Sequence, residues 1–154
     1  MKINQATIEN TINESGYILQ TVVGRSMYPM LRDKKDNVLI EKPTFPLKKY
    51  AVPLYKSQDG RYILHRIIKI KNGEYIIRGD NTYEKEYGVK DENIVGVLTA
   101  FYRGKKYVKV TNFGYKLYVR LNIFFYPLRY IYFRCKCLAH KIYHALFKKN
   151  KKHQ

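Results

Sequence analysis

Three turn signals set between short apolar runs constrain this chain more than any other feature. Asp59-Gly60 separates residues 51–56 from 62–70, and Asn72-Gly73 precedes Tyr75-Ile76-Ile77. Arg103-Gly104-Lys105-Lys106 joins Val95–Tyr102 to Tyr107–Val110. Such dipeptides accept the positive φ that a tight hairpin demands. The β-branched and aromatic run Tyr17–Val23 and the run Val38–Ile40 add two more strands. Many short strands with closely spaced turns predict a mainly β fold, built on a coiled, partly closed sheet. One short helix is expected before it, over residues 3–14, with Ile8 and Ile12 at helical spacing and Gly16 as the stop. Pro53 cannot donate to a strand ladder, so its strand is expected at a sheet edge.

A chain of 154 residues suits one compact domain with an appendage. A hydrophobic fraction of 45% excludes wholesale disorder. Two cysteines, Cys135 and Cys137, are too few for a disulfide framework or a zinc ribbon and fit a reducing compartment. The N-terminal residues lack the apolar core of a signal peptide, so no export is expected. The longest uncharged aromatic-aliphatic run, Leu121 to Leu128, is far short of the roughly 18–20 residues of a membrane span.

Charge divides the chain. Residues 1–102 hold 16 Lys+Arg and all 12 Asp+Glu, whereas residues 103–154 hold 14 Lys+Arg and no acid. That asymmetry points to a polyanionic partner, nucleic acid or anionic lipid. The expected organisation is a β domain over 1–110 and a basic tail over 111–154. In the tail, Leu117, Leu121, Phe124, Leu128, Ile131, Cys135, Leu138, Ile142 and Ala145 recur at steps of four and three, with Lys and Arg flanking the stripe. Pro127 is expected to divide the helix in two. An aromatic stripe edged with cations suits an interfacial membrane helix, so residues 115–152 are read as a contact for an anionic membrane surface, ahead of nucleic acid. Docking of the stripe on the β domain or on a second copy is the alternative. Cys137, His140 and His144 share a helix face, but with no acid and no fourth ligand nearby no metal site or cofactor is expected.

Three polar residues sit where chemistry is possible. Ser26 follows a strand and precedes Pro29, His65 interrupts the apolar run Tyr62–Ile68, and Asp80 follows Gly79 at the end of the next strand. A serine hydroxyl needs a neighbouring base, and a neutral imidazole supplies one near pH 7. A carboxylate then fixes the imidazole tautomer. Lys56 and Lys69 are alternative bases, on strand positions that face solvent.

These residues fall in ordered boxes. Gly24-Arg25-Ser26-Met27-Tyr28-Pro29-Met30-Leu31, Tyr62-Ile63-Leu64-His65-Arg66-Ile67-Ile68 and Arg78-Gly79-Asp80-Asn81, followed by Ile94-Val95-Gly96-Val97, resemble the LexA/signal-peptidase superfamily of serine peptidases over about residues 16–110. With histidine in the second box the chain is similar to signal peptidases of the endoplasmic-reticulum type. The resemblance implies Ser26 as nucleophile, His65 as general base and Asp80 as orienting acid, with no cofactor. It implies a serine endopeptidase that cleaves a leader or signal segment with small residues near the scissile bond. Gly24 stands where bacterial relatives place an oxyanion-hole serine, and the N-terminal anchor of typical signal peptidases is missing. The expected location is therefore cytoplasmic and peripheral to the membrane, with a peptide precursor as substrate. Two rivals remain: a LexA-like regulator, and a non-catalytic protein that binds anionic membrane or nucleic acid through its tail.

Overall fold

A computed structural model describes residues 5–149 of the chain. It is mainly β, with a curled half-barrel sheet, a short N-terminal helix and C-terminal helices. The chain runs α1 (Gln5–Ser15), β1 (Tyr17–Thr21), β2 (Asp36–Glu41), β3 (Pro53–Lys56), β4 (Tyr62–Leu64), β5 (Arg66–Lys71), β6 (Glu74–Arg78) and β7 (Glu86–Val89). A 3-10 turn at Asp91–Asn93 leads into β8 (Ile94–Arg103), β9 (Lys106–Lys109), α2 (Phe113–Phe124) and α3 (Tyr126–Lys149). The chain divides into two compact units, Met1–Leu117 and Tyr118–Gln154.

In the first unit the larger sheet has the order β1-β2-β8-β3-β4, with β9 paired to β8, and every pairing is antiparallel. A smaller sheet has the order β5-β6-β7. All three expected hairpins form, as β3–β4, β5–β6 and β8–β9. The apolar run 62–70 is not one strand, however. It breaks at His65, with β4 in the larger sheet and β5 in the smaller, so this histidine stands where the chain changes sheets. The edge expected for Pro53 is also corrected. β3 lies between β8 and β4, and Pro53 is its buried first residue, a position where a missing N–H is tolerated.

Alternation decides what is buried. In β2 the side chains of Asp36, Val38 and Ile40 point inward while Asn37, Leu39 and Glu41 face outward. Leu47, Tyr55, Ile67, Tyr75, Ile77, Val89 and Ile94 form one core cluster drawn from both sheets. The Tyr75 hydroxyl keeps its place there by accepting from the Leu47 N–H (3.0 Å) and donating to Asp91 (2.6 Å). Helix α1 buries Ile12 at 1% exposure, worth roughly 1.5–3 kcal/mol. Its Glu9 accepts from the Tyr62 hydroxyl and pairs with Lys56 at 3.2 Å, tying the helix to the β3–β4 hairpin.

The boundary between units falls beyond the expected residue 110 because the start of α2 belongs to the β unit. Tyr115 accepts a hydrogen bond from buried Arg66 (2.9 Å), and its ring lies 6.5 Å from that of Phe101. Helix α2 ends at Phe124, and α3 opens with Pro127 in its first turn, where a missing N–H costs nothing. The expected division of the tail thus falls just ahead of Pro127. The stripe residues Leu117, Leu121, Phe124, Leu128, Ile131 and Leu138 are all exposed. Residues 150–154 and the side chains of Ile142, His144 and Ala145 lie outside the described residues. Among the described residues, no helix is long and apolar enough to cross a membrane, and no group of His, Cys, Asp and Glu could hold a metal.

Candidate active site

Ser26 lies in a turn-rich segment between β1 and β2, half-buried, just beyond Gly24, whose φ of +103° suits a residue without a Cβ. The segment is tethered on several sides. The Gly24 N–H donates to Asp33 (2.8 Å), the Asn81 N–H to the Ser26 carbonyl (2.7 Å) and Asn81 Nδ2 to the Arg25 carbonyl (3.1 Å). Further along, Arg103 donates to the carbonyls of Pro29 (2.8 Å) and Met30 (2.7 Å). A serine so held needs little reorganisation before it reacts, which is the condition for positional catalysis. Among the described residues no acceptor takes the Ser26 N–H, which leaves it available to a developing oxyanion.

His65 is 8% exposed and reaches the same place from the junction of β4 and β5. Gly79 lies between the two. A Cβ at Gly79 would come within 2.6 Å of the Ser26 carbonyl oxygen, 2.9 Å of Thr82 Oγ1 and 3.0 Å of His65 Nε2. The glycine of the third box is therefore required by close approach, since any side chain there would push the histidine and the serine loop apart.

The carboxylate at His65 Nδ1 is Glu86, at 2.7 Å. The expected orienting acid, Asp80, has both oxygens on Arg66 instead: Nε to Oδ1 and Nη2 to Oδ2, each 2.7 Å. That pair is almost wholly buried, with side-chain exposures of 1% and 3%. Arg66 also donates to the Tyr50 carbonyl (3.0 Å) and to Met30 Sδ (3.0 Å). Burial alone would lower the Arg66 pKa, but the bonds to Asp80 outweigh it and hold the guanidinium above its ordinary value. The correction has a simple cause. A guanidinium buried one residue after His65 requires a full counter-charge, and Asp80 supplies it.

Glu86 enters from β7, where it pairs in register with Ile77 of β6. Its second oxygen accepts from the Tyr55 hydroxyl. Burial pushes the Tyr55 pKa up, and the bond to Glu86 adds to the shift, so the phenol stays a donor. A carboxylate accepting at Nδ1 puts the imidazole proton there and leaves Nε2, which lies beside Gly79, as the basic nitrogen. The His65 pKa is lowered from its ordinary value because burial penalises the cation more than Glu86, and then Asp80, support it. The result is an imidazole that is neutral near pH 7, beside a tethered serine. Lys56 is committed to Glu9 and Lys69 faces solvent on β5, so neither competes as the base.

Glu86 had no signal in the sequence beyond being an acid. The segment Glu86-Tyr87-Gly88-Val89 carries little apolar character, and only its long-range pairing to β6 makes it a strand. On one flank of Ser26 a cleft of about 180 Å³ is bounded by Val22, Val23 and Gly24 on one side and Tyr62, Ile63 and Leu64 on the other. No family model matches this chain, and no curated protein matches it significantly.

Proposed function

We propose that the protein is a serine endopeptidase of the signal-peptidase type that removes a leader or signal segment from a peptide precursor at a membrane surface. The observation that carries this reading is the meeting of the tethered Ser26 loop with His65 Nε2 across Gly79, while Nδ1 is held by Glu86. Ser26 Oγ attacks the scissile carbonyl carbon as His65 Nε2 takes its proton. The tetrahedral oxyanion is met by the Ser26 N–H. His65 then hands the proton to the leaving amine, and the acyl-enzyme forms. Water, deprotonated by the same imidazole, hydrolyses the ester and restores Ser26.

The sheet supports an extended substrate. β1 and β4 are the two ends of the strand path, and the 180 Å³ cleft is lined by residues following β1 and residues of β4. A peptide laid there would pair backbone to backbone with an exposed edge. The small volume favours small side chains beside the scissile bond, as the resemblance also implies. The tail supports the membrane surface: its exposed Leu, Ile and Phe side chains alternate with cations, and each Lys or Arg near an anionic leaflet adds about 1 kcal/mol. The two free thiols fit a reducing, cytoplasmic side.

The test is a digest of a varied peptide pool, read by mass spectrometry with anionic vesicles present, for the wild-type protein and Ser26→Ala. Cleavage that is lost in the variant is the expected result. Cleavage that survives Ser26→Ala sinks the reading. A second reading rests on the acid-free basic tail alone: a non-catalytic protein binding anionic membrane or nucleic acid, without turnover and with a steep salt dependence.

A further inference from the structure

Ser26 has a second flank. A second cavity, of about 490 Å³, is lined by Arg25, Tyr28, Arg32, Asp33, Lys35 and Asn81. Two of these residues also hold the nucleophile: Arg25 precedes Ser26, and Asn81 donates to its carbonyl. The cavity and the nucleophile therefore share a wall. On the peptidase reading, a peptide whose small residue before the cut sits in the cleft of Val22–Gly24 and β4 continues past Ser26 toward this cavity.

The charges here are unevenly committed. Arg32 grips buried Asp36 through Nε (3.0 Å) and Nη2 (2.7 Å), so its charge is matched. Asp33 is turned to the Gly24 N–H. Arg25 and Lys35 are exposed, and among the described residues neither is paired with a carboxylate. Two cations without a carboxylate partner thus line one cavity, with Tyr28 and Asn81 beside them. A guanidinium fork with an ammonium beside it suits a carboxylate.

We propose that this cavity takes a carboxylate side chain of the peptide substrate, within the first few residues after the scissile bond, and so selects precursors whose mature segment begins acidic. The proposal rests on the peptidase reading for the direction of the chain, and its test separates the two. The pool digest is repeated with Arg25→Glu/Lys35→Glu. For the wild type, Asp and Glu are expected at about fivefold over their frequency in the pool at the first three positions after the cut. In the double variant the preference is expected to reverse toward Lys and Arg, while the residues before the cut are unchanged. A damaged fold lowers every rate but does not reverse a charge preference.

Where no cleavage is seen, binding decides. Ser26→Ala protein, labelled with ¹⁵N, is titrated with the peptide Ala-Glu-Asp-Glu and with its neutral isostere Ala-Gln-Asn-Gln. Shifts of the Arg25, Tyr28 and Asn81 amides with the acidic peptide alone, absent in the charge-reversed protein, keep the anion site even if the peptidase reading fails. The absence of both acidic enrichment and localised shifts would overturn the proposal, as would enrichment that the double variant leaves intact. Loss of pelleting with phosphatidylglycerol vesicles in the double variant, without any peptide effect, would assign the cavity to a lipid phosphate and also overturn it.

Discussion

Replacing Glu86 by glutamine separates the two carboxylates near the site. Its oxygen lies 2.7 Å from His65 Nδ1, which puts the charge centres of carboxylate and imidazolium roughly 4 Å apart. At an effective dielectric of 20 that interaction is about 4 kcal/mol. The Glu86 side chain is 34% exposed, and screening reduces the figure to about 1–2 kcal/mol, or roughly one pKa unit. His65 acts as a base only when neutral, and burial already sets its pKa below the ordinary 6.5. The acid limb of kcat/KM therefore falls below pH 6.5, with a plateau above. Removing the Glu86 charge removes the main support of the cation, so the limb moves further to acid by about one pH unit. The proton at Nδ1 also loses its fixed acceptor. Converting the corresponding acid to its amide costs about 10⁴ in kcat where that acid is fully buried, and about 10²–10³ is expected for this half-exposed one. The assay is the pH–rate profile on the peptide found in the pool digest. A limb that stays in place or moves to higher pH, or a kcat equal to wild type, would refute the role given to Glu86. A merely structural glutamate would lower Tm and leave the limb where it was.

Other substitutions read the rest of the frame. Asp80→Asn leaves Arg66 buried without a counter-charge, so a loss of about 3–5 kcal/mol is expected, seen as a fall of about 10 °C or more in Tm by calorimetry, with a smaller limb shift than Glu86→Gln. Gly79→Ala drives a methyl against the Ser26 carbonyl and His65 Nε2, and kcat should drop about 10²-fold in the peptide assay while circular dichroism still reports a folded β protein. Removal of residues 118–154 should abolish co-sedimentation with anionic vesicles. For the intact protein, binding should weaken steeply between 50 and 200 mM salt, roughly linear in log–log form, and salt-independent binding would show that the exposed apolar stripe acts alone.

The sequence carried the local architecture well. Asp59-Gly60, Asn72-Gly73 and Gly104 each closed the hairpin their turn chemistry demands, and the tail divides just ahead of Pro127, which sits in the first turn of α3. It misled where a decision depends on distant partners. The run Tyr62–Ile68 reads as one strand interrupted only by His65 and Arg66, with no turn residue to mark the change of sheet. Pro53 looked like an edge because its own N–H is missing, but the neighbours of a strand are chosen by other strands, and a first residue needs no N–H. Ser26 and His65 were legible from their boxes, and the Ser26 carbonyl and His65 Nε2 both lie against Gly79. Glu86 was not legible, because a glutamate on a short, polar strand is brought to His65 only through its pairing with β6.

The third box illustrates how chemistry and architecture share neighbouring residues. Gly79-Asp80-Asn81 on its own is a sequence any turn accepts. Each of its residues answers a different demand from the residues around Ser26 and His65. Gly79 leaves room for His65 Nε2 beside the Ser26 carbonyl. Asp80 neutralises Arg66, which follows His65 in the chain and is buried as the first residue of β5. Asn81 fastens the serine loop through its N–H and its side chain. An aspartate here is thus explained by the buried guanidinium without any direct part in proton transfer, and Arg66 in turn ties the site to the first turn of α2 through Tyr115. On this reasoning Arg66→Met would be as damaging to Tm as Asp80→Asn, because either leaves one buried charge alone. The pair replaced together by apolar residues of similar volume should recover much of the stability, and a double variant no more stable than the singles would show that the two are not energetically coupled.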